Sequence, residues 1–63
     1  MDKRLMMKAY EELILEGFVP RVDEDEHAQY IFVPEFGYID DIEEIEEGLR
    51  ITFSDGFAYE IRY

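Results

Sequence analysis

The chain has 63 residues and no cysteine, which predicts one small domain over residues 1–63 that neither a disulfide nor a thiolate metal site can stabilise. The hydrophobic fraction of 48% argues against intrinsic disorder, and five Phe and five Tyr provide the large side chains that a small core needs. The formal net charge of −11 excludes nucleic acid and anionic membranes as direct partners, because both carry charge of the same sign.

Charged residues interrupt the N-terminal segment MDKRLMMKAYEELIL throughout its length. A signal peptide would require a continuous apolar run after the first charges, and a membrane span would require a longer one. The sequence contains neither, so we expect the protein to be cytoplasmic.

An amphipathic helix is predicted over residues 2–16. Apolar residues recur there at helical spacing and form one face, namely Met6, Ala9, Tyr10, Leu13 and Ile14. Gly17 suits the left-handed residue that ends many helices, and Phe18 is available for the apolar contact that accompanies such an ending. Leu15 falls on the polar side, where it is either an incidental surface residue or a contact with a partner.

Two strands are predicted after the helix. Residues 18–22 form the first, and Pro20 favours an edge position because proline cannot donate to a ladder. The acidic run 23–26 is predicted to be a solvated turn. Residues 29–33 are β-branched or aromatic and apolar on both faces, which indicates a central strand. Residues 35–38 follow as a turn or a short extended segment.

Residues 40–47 fit two different structures. Ile42, Ile45 and Leu49 have the spacing of one helix face, although the helix would be barely two turns long. A hairpin turn at residues 46–48 also fits the acidic run and its glycine. We favour the short helix.

The C-terminal segment predicts a β-hairpin. Apolar and polar residues alternate over 49–53 and again over 57–63, and Ser54, Asp55 and Gly56 supply the turn between them. The predicted fold is therefore α+β, with an N-terminal helix packed on a small antiparallel sheet of three to five strands that ends in this C-terminal β-hairpin.

Few residues suit catalysis or metal binding. His27 is the only histidine, Ser54 fits a turn, and neither has a catalytic companion in the sequence. Asp23, Asp25 and His27 alternate like the first ligands of a calcium loop, but the glycine and the glutamate that such a loop requires are missing. We expect no enzymatic activity, no cofactor and no specific metal site.

The negative charge is concentrated in the middle of the chain. Residues 23–47 contain no Lys or Arg, and the two flanking segments carry equal numbers of acids and bases. The carboxylates of this segment are Asp23, Glu24, Asp25, Glu26, Glu35, Asp40, Asp41, Glu43, Glu44, Glu46 and Glu47. The simplest explanation is solubility, because runs of charge are usually solvated faces.

Mimicry of a nucleic-acid backbone is the functional explanation that we favour. Duplex DNA carries one phosphate about every 3.4 Å along each strand, and adjacent residues of a β-strand are about 3.3 Å apart, so carboxylates on strands or tight turns roughly match the spacing of phosphates. In size and charge, the chain resembles the small acidic DNA-mimic inhibitors made by phages and mobile elements. The resemblance implies a non-enzymatic protein that occludes the basic nucleic-acid-binding surface of a target protein.

The residues expected to contact such a target are the two acidic runs and two aromatic residues that flank Gly37. They are Asp23, Glu24, Asp25, Glu26, Phe36, Tyr38, Asp40, Asp41, Glu43, Glu44, Glu46 and Glu47. The alternative is a structural or adaptor module whose apolar sheet or helix face binds a partner, while the acids serve solubility. The sequence leaves the oligomeric state open, a homodimer included.

Overall fold

A computed structural model describes residues 2–63 as one helix packed on one side of a five-stranded sheet. The elements are α1 (Lys3–Leu15), β1 (Arg21–Glu24), β2 (Gln29–Val33), β3 (Gly37–Ile45), β4 (Gly48–Phe53) and β5 (Ala58–Arg62). The strands lie in chain order, and each is antiparallel to the next. The predicted α+β fold is confirmed, including the C-terminal hairpin that β4 and β5 form.

The two ends of α1 agree with the sequence prediction to within one residue. Asp2 caps the first turn, where its side chain accepts a hydrogen bond from the backbone N–H of Arg4 at 2.8 Å. At the other end Gly17 has a φ of 99°, a value that glycine adopts without strain. The N–H groups of Gly17 and Phe18 donate to the carbonyls of Ile14 and Leu13, which is the Schellman ending predicted for this helix.

The core lies between α1 and the side of the sheet that faces it. Its buried residues are Met6, Ala9, Leu13, Ile31, Val33, Ile39, Ile42, Leu49, Ile51, Phe53 and Ile61. The strands supply alternate residues to this core because successive side chains of a strand point to opposite faces. From the predicted helix face, Tyr10 is half-buried and Ile14 is exposed. The opposite side of the sheet is covered by no element of residues 2–63, and we refer to it as the open face.

Our preferred prediction of a helix at residues 40–47 is wrong. This segment continues β3 as far as Ile45 and then turns through Glu46 and Glu47 into β4. Glu47 adopts a positive φ of 54°, as a residue of a tight hairpin turn does.

A β-bulge interrupts the alternation of β3. Along the pairing with β4, Ile39 lies opposite Phe53 but Asp41 lies opposite Thr52, so Asp40 is an extra residue. The bulge brings Ile39 and Ile42 to the same face of the sheet at a separation of three, although a regular strand would separate them by an even number. The helix prediction rested on Ile42 and Ile45, which lie after the bulge, and their separation of three places them on opposite faces of the strand.

The first hairpin also differs in its bounds. β1 begins at Arg21, and Asp23 and Glu24 belong to this strand rather than to the turn, which is confined to residues 25–28. Pro20 directly precedes β1, and β1 is an edge strand as predicted. β2 has the predicted bounds and the predicted inner position.

The order of the strands sends alternate turns to opposite ends of the sheet. The β1–β2 and β3–β4 turns lie at one end, and the β2–β3 and β4–β5 turns lie at the other. The N-terminus of α1 is at the first end, because Arg4 contacts Glu44 near the end of β3. Both acidic turns therefore lie at the same end of the molecule.

The first hairpin is joined to the rest of the sheet over a short length. β2 and β3 are paired only at Phe32 with Tyr38 and at Val33 with Gly37, whereas β3 pairs with β4 from Ile39 to Ile45. The pairing with β2 ends next to the bulge at Asp40, and a bulge bends its strand and increases the local twist. Beyond that point the two hairpins diverge.

Candidate functional site

The candidate site is the end of the sheet that carries both acidic turns, residues 24–28 and 44–47, which we call the acidic end. The two turns lie at the same end of the sheet, on two hairpins that are paired with each other only near the opposite end, at Phe32 with Tyr38 and at Val33 with Gly37. All the carboxylates of these two turns are exposed, namely Glu24, Asp25, Glu26, Glu44, Glu46 and Glu47. The structure thus brings together two runs that are far apart in the sequence.

Several carboxylates near the first turn have partners within the chain. Asp25 Oδ1 accepts hydrogen bonds from the backbone N–H groups of His27 at 2.8 Å and Ala28 at 2.9 Å, and these bonds hold the pKa of Asp25 below its ordinary value. Glu24 accepts a hydrogen bond from the Gln29 amide at 3.2 Å. These carboxylates therefore help to form the turn as well as to charge it.

Arginines neutralise two of the acids of β3. Arg4 of α1 binds Glu44, and this hydrogen bond, reinforced by the charge of the guanidinium, lowers the pKa of Glu44. On the open face, Arg50 donates to Glu43 at 2.9 Å and to Glu60 at 2.7 Å.

The network around Arg50 extends to a second arginine. Arg62 also donates to Glu60, at 2.7 Å, and the hydrogen bonds from Arg50 and Arg62 lower the pKa of Glu60. On the open face of β3, β4 and β5, Glu43 and Glu60 are therefore balanced by two arginines, and Asp41 is the acid of this face without an ion pair within residues 2–63.

Other predicted carboxylates are exposed and have no side-chain hydrogen bond or ion pair within residues 2–63. They are Glu26, Asp40, Asp41, Glu46 and Glu47, and Glu35 shares this state at the opposite end of the sheet. Asp40 and Asp41 are consecutive residues at the bulge. Charge that is not neutralised within the chain is thus found at the acidic end and along β3.

The two predicted aromatic anchors lie on different sides of the sheet. Phe36 is half-buried on the helix side, where its ring centroid lies 5.0 Å from that of Phe53, 5.2 Å from that of Phe18 and 5.1 Å from that of Phe57. Tyr38 lies on the open face and is 43% exposed. Of the two residues, Tyr38 is the one that a partner can reach without entering an aromatic cluster of the core.

Tyr38 belongs to an aromatic patch on the open face that sequence analysis missed. Its ring centroid lies 5.0 Å from that of Phe32 and 6.3 Å from that of Tyr30, and its hydroxyl donates to Asp23 at 2.8 Å. The hydrogen bond to that carboxylate raises the pKa of Tyr38. The guanidinium of Arg21 lies over the Phe32 ring, 5.1 Å from its centroid. The sequence did contain an indication of this patch, because residues 29–33 are apolar on both faces of the strand.

The structure places the remaining candidates apart from one another. His27 is exposed in the β1–β2 turn, and Ser54 is exposed in the β4–β5 turn at the opposite end. Within residues 2–63, no three carboxylate or imidazole side chains are arranged so that they could hold a metal ion.

Comparison of the chain with protein-family models, with curated proteins and with solved structures finds no match. The helix in the described part of the chain is too short and too polar to cross a membrane.

Proposed function

We propose that this protein is a non-enzymatic cytoplasmic binding protein that occludes the basic nucleic-acid-binding surface of a target protein. Carboxylates of the acidic end and of β3 would take the positions of phosphates. The observation that carries the proposal is the placement of both acidic turns at one end of the sheet, because it concentrates charge that could have been dispersed.

The distribution of the basic residues supports the proposal. Arg4, Arg50 and Arg62 are each bound to a carboxylate of the chain itself. Arg21 lies over Phe32, and the ammonium of Lys8 lies 5.0 Å from the centroid of the Tyr63 ring. The sixth base, Lys3, lines one cavity together with Glu24, Asp25 and Glu26. The six bases thus leave the carboxylates of Glu46 and Glu47 without a cation, so a basic surface of another protein can still neutralise them.

The strand conformation of β3 also supports the proposal that carboxylates take the positions of phosphates. Asp41 and Glu43 lie on the same face at a separation of two residues, which is about 6.6 Å along a strand. Glu43 is bound to Arg50, whereas Asp41 and the adjacent exposed Asp40 have no ion pair within residues 2–63. Successive residues of a strand are about 3.3 Å apart, and residues on the same face are about twice that distance apart. Both distances roughly match multiples of the phosphate spacing of one DNA strand, which is about 3.4 Å along the axis. A helix in this segment would have compressed the axial repeat to about 1.5 Å per residue.

The aromatic patch of Tyr30, Phe32 and Tyr38 favours a second candidate function, an adaptor that binds through its sheet. No element of residues 2–63 covers this patch, and aromatic residues are enriched in the centres of protein interfaces. The two functions differ in their response to salt, since an aromatic contact is insensitive to screening and a phosphate-like contact is weakened by it.

Capture followed by competition tests the proposal. The immobilised protein is exposed to a cell lysate, bound proteins are eluted with a salt gradient, and each eluted protein is purified and loaded with a fluorescent DNA or RNA duplex. We expect partners that elute between low and moderate salt, bind nucleic acid, and release the duplex when this protein is added.

The matched control uses two variants of equal net charge. Glu46→Gln with Glu47→Gln should weaken competition by roughly twofold to thirtyfold, whereas Glu11→Gln with Glu12→Gln, on α1, should leave it nearly unchanged. Partners that elute only with detergent, or that bind the duplex and this protein simultaneously, would contradict mimicry and favour the adaptor.

A further inference from the structure

α1 is too narrow to cover the whole sheet. A helix with its side chains is about 10 Å in diameter, whereas five strands at about 4.8 Å spacing are roughly twice as wide. The side chains of α1 reach towards β3 and β5, where Arg4 binds Glu44 and Glu16 accepts a hydrogen bond from the Tyr59 hydroxyl at 2.9 Å. The helix side of β1 and β2 is therefore left partly uncovered within residues 2–63.

The consequence is an apolar groove between α1 and the first hairpin. Met6, Met7 and Tyr10 line it from the helix, and Val22 and Ile31 line it from the sheet, around a cavity of about 400 Å³. Val22 is opposite Ile31 and points to the helix side, yet it is 51% exposed, and Met7 is 65% exposed. Methionine side chains are flexible and adapt to partners of different shape.

A second, acidic cavity, which we call the basin, lies next to the groove. The basin is a second cavity of about 410 Å³, lined by Glu24, Asp25 and Glu26 of the acidic end. Lys3, Met6 and Gln29 line both cavities, so the two are adjacent. Three carboxylates and one base, Lys3, thus line the basin next to the apolar groove.

We propose that this groove and basin bind an amphipathic, cationic helix of the basic target protein. The helix would lie beside α1 over β1 and β2 and complete the helical layer of the fold, with apolar side chains against Met7, Tyr10 and Val22. Its Lys or Arg residues would reach the basin at Glu24 and Glu26. This inference rests on the proposed function. It identifies the part of the target that binds this protein in the groove, namely an amphipathic, cationic helix.

Charge decides between the possible occupants of the groove. A second copy of this chain also carries a net charge of −11, so two copies would repel each other across the basin. An acidic or neutral helix would leave the three carboxylates of the basin without a counterion. A helix that is apolar on one side and basic at one end satisfies both cavities together.

Synthetic peptides test this inference without knowledge of the target. The probe is an amphipathic peptide of Leu and Lys arranged at helical spacing. A peptide of the same composition in scrambled order, and an amphipathic peptide of Leu and Glu, are the controls. Binding to the isotopically labelled full chain is followed by amide chemical shifts at physiological salt, and peptide helicity is followed by circular dichroism.

We expect the Leu–Lys amphipathic peptide to bind as a helix and to shift the amides of residues 6–10, 22–28 and 31. Met7→Gln and Val22→Gln should each weaken this binding about tenfold, which corresponds to about 1.4 kcal/mol. Leu15→Gln is the matched control, because Leu15 is 78% exposed on α1 and lines neither cavity. Thermal melts establish that all three variants remain folded.

The outcomes separate this inference from the proposed function. Equal binding of the scrambled peptide, or a loss of affinity in Leu15→Gln but not in Met7→Gln, would overturn the groove and leave mimicry by the acidic end intact. Binding of the Leu–Glu peptide with the same shifts would overturn the role of the basin. If a captured target competes with nucleic acid but is unaffected by Met7→Gln, the proposed function stands and this inference fails.

Discussion

Individual carboxylates of this chain differ in what they do, although nearly all are exposed. Asp25 holds the first turn by accepting two backbone hydrogen bonds, while its neighbour Glu26 has no hydrogen-bonding partner in the described chain. Glu43 and Glu44 are bound to arginines, and Glu46 is not. Neutralising a carboxylate therefore has a structural effect in some positions and only an electrostatic effect in others.

The comparison of Asp25→Ala with Glu26→Ala isolates the structural effect, because both changes remove one charge from the same turn. The pKa of Asp25 is lower in the folded chain than the unfolded value of about 3.9, so its stabilising effect is complete above that value and is lost as the pH falls through the lower folded pKa. We expect Asp25→Ala to lower the free energy of unfolding at pH 7, and the difference from wild type to vanish in strong acid.

Urea unfolding at several pH values between 2 and 7 measures both variants. Glu26→Ala should follow the wild-type stability at neutral pH or slightly exceed it, because it relieves repulsion without breaking a hydrogen bond. Equal behaviour of the two variants at pH 7 would mean that the turn does not depend on the Asp25 side chain.

At the scale of elements, the joint between β2 and β3 is the weakest connection in the sheet. Two residue pairs join these strands, whereas β4 is paired along its length with β3 on one side and β5 on the other. Ile31 and Val33 still place the first hairpin against the core, so the hairpin is attached by packing more than by the ladder.

Native-state hydrogen exchange should resolve this difference. We expect the slowest amides of β1 and β2 to exchange at least about tenfold faster than the slowest amides of β4 and β5, because the first hairpin can detach while the other three strands stay paired. Phe53→Leu, in β4, should accelerate both groups through global destabilisation and so serves as the control. Equal protection of the two groups would show that all five strands open as one unit.

The regularity of each element explains which elements could be predicted from the sequence. α1, β2 and the C-terminal hairpin follow regular periods of 3.6 or 2, and the sequence predicts them closely. β3 does not, because the bulge at Asp40 interrupts its alternation, and because Ile42 and Ile45 have a helical spacing although they lie on opposite faces of the strand. The acidic residues of the site could be identified from composition, but their meeting at one end could not. That placement depends on the number of strands between them, and a helix at residues 40–47 would have changed it.

At the scale of the whole molecule, self-repulsion opposes folding. The chain carries a net charge of −11 on 63 residues, and within residues 2–63 only Arg4 and Arg50 form ion pairs with the acids of the acidic end and of β3. Salt screens this repulsion, since the Debye length falls from about 30 Å at 0.01 M to about 10 Å at 0.1 M.

We therefore expect the melting temperature to rise when the ionic strength is increased from about 0.01 M to about 0.1 M. The rise should be roughly 4–8 °C for each kcal/mol of repulsion that is screened. The variant with Glu46→Gln and Glu47→Gln should show a smaller rise than the variant with Glu11→Gln and Glu12→Gln, although both lose the same charge. Thermal melts at 0.01 M and 0.1 M salt compare the three proteins. A melting temperature that falls with salt would indicate that attractive ion pairs outweigh repulsion.

The alternation of turns between the two ends of the sheet also gives the molecule two distinct ends. β3 is about 30 Å long, comparable to the longest dimension of the fold, 34 Å, so the acidic end is several Debye lengths from the opposite end at physiological salt. The opposite end carries exposed acids of its own, Glu35 and Asp55, so a basic partner is attracted before contact at either end, and each end acts within its own Debye length. Attraction therefore speeds the encounter in every orientation, and the approach to the acidic end is selected at contact, by the residues found there.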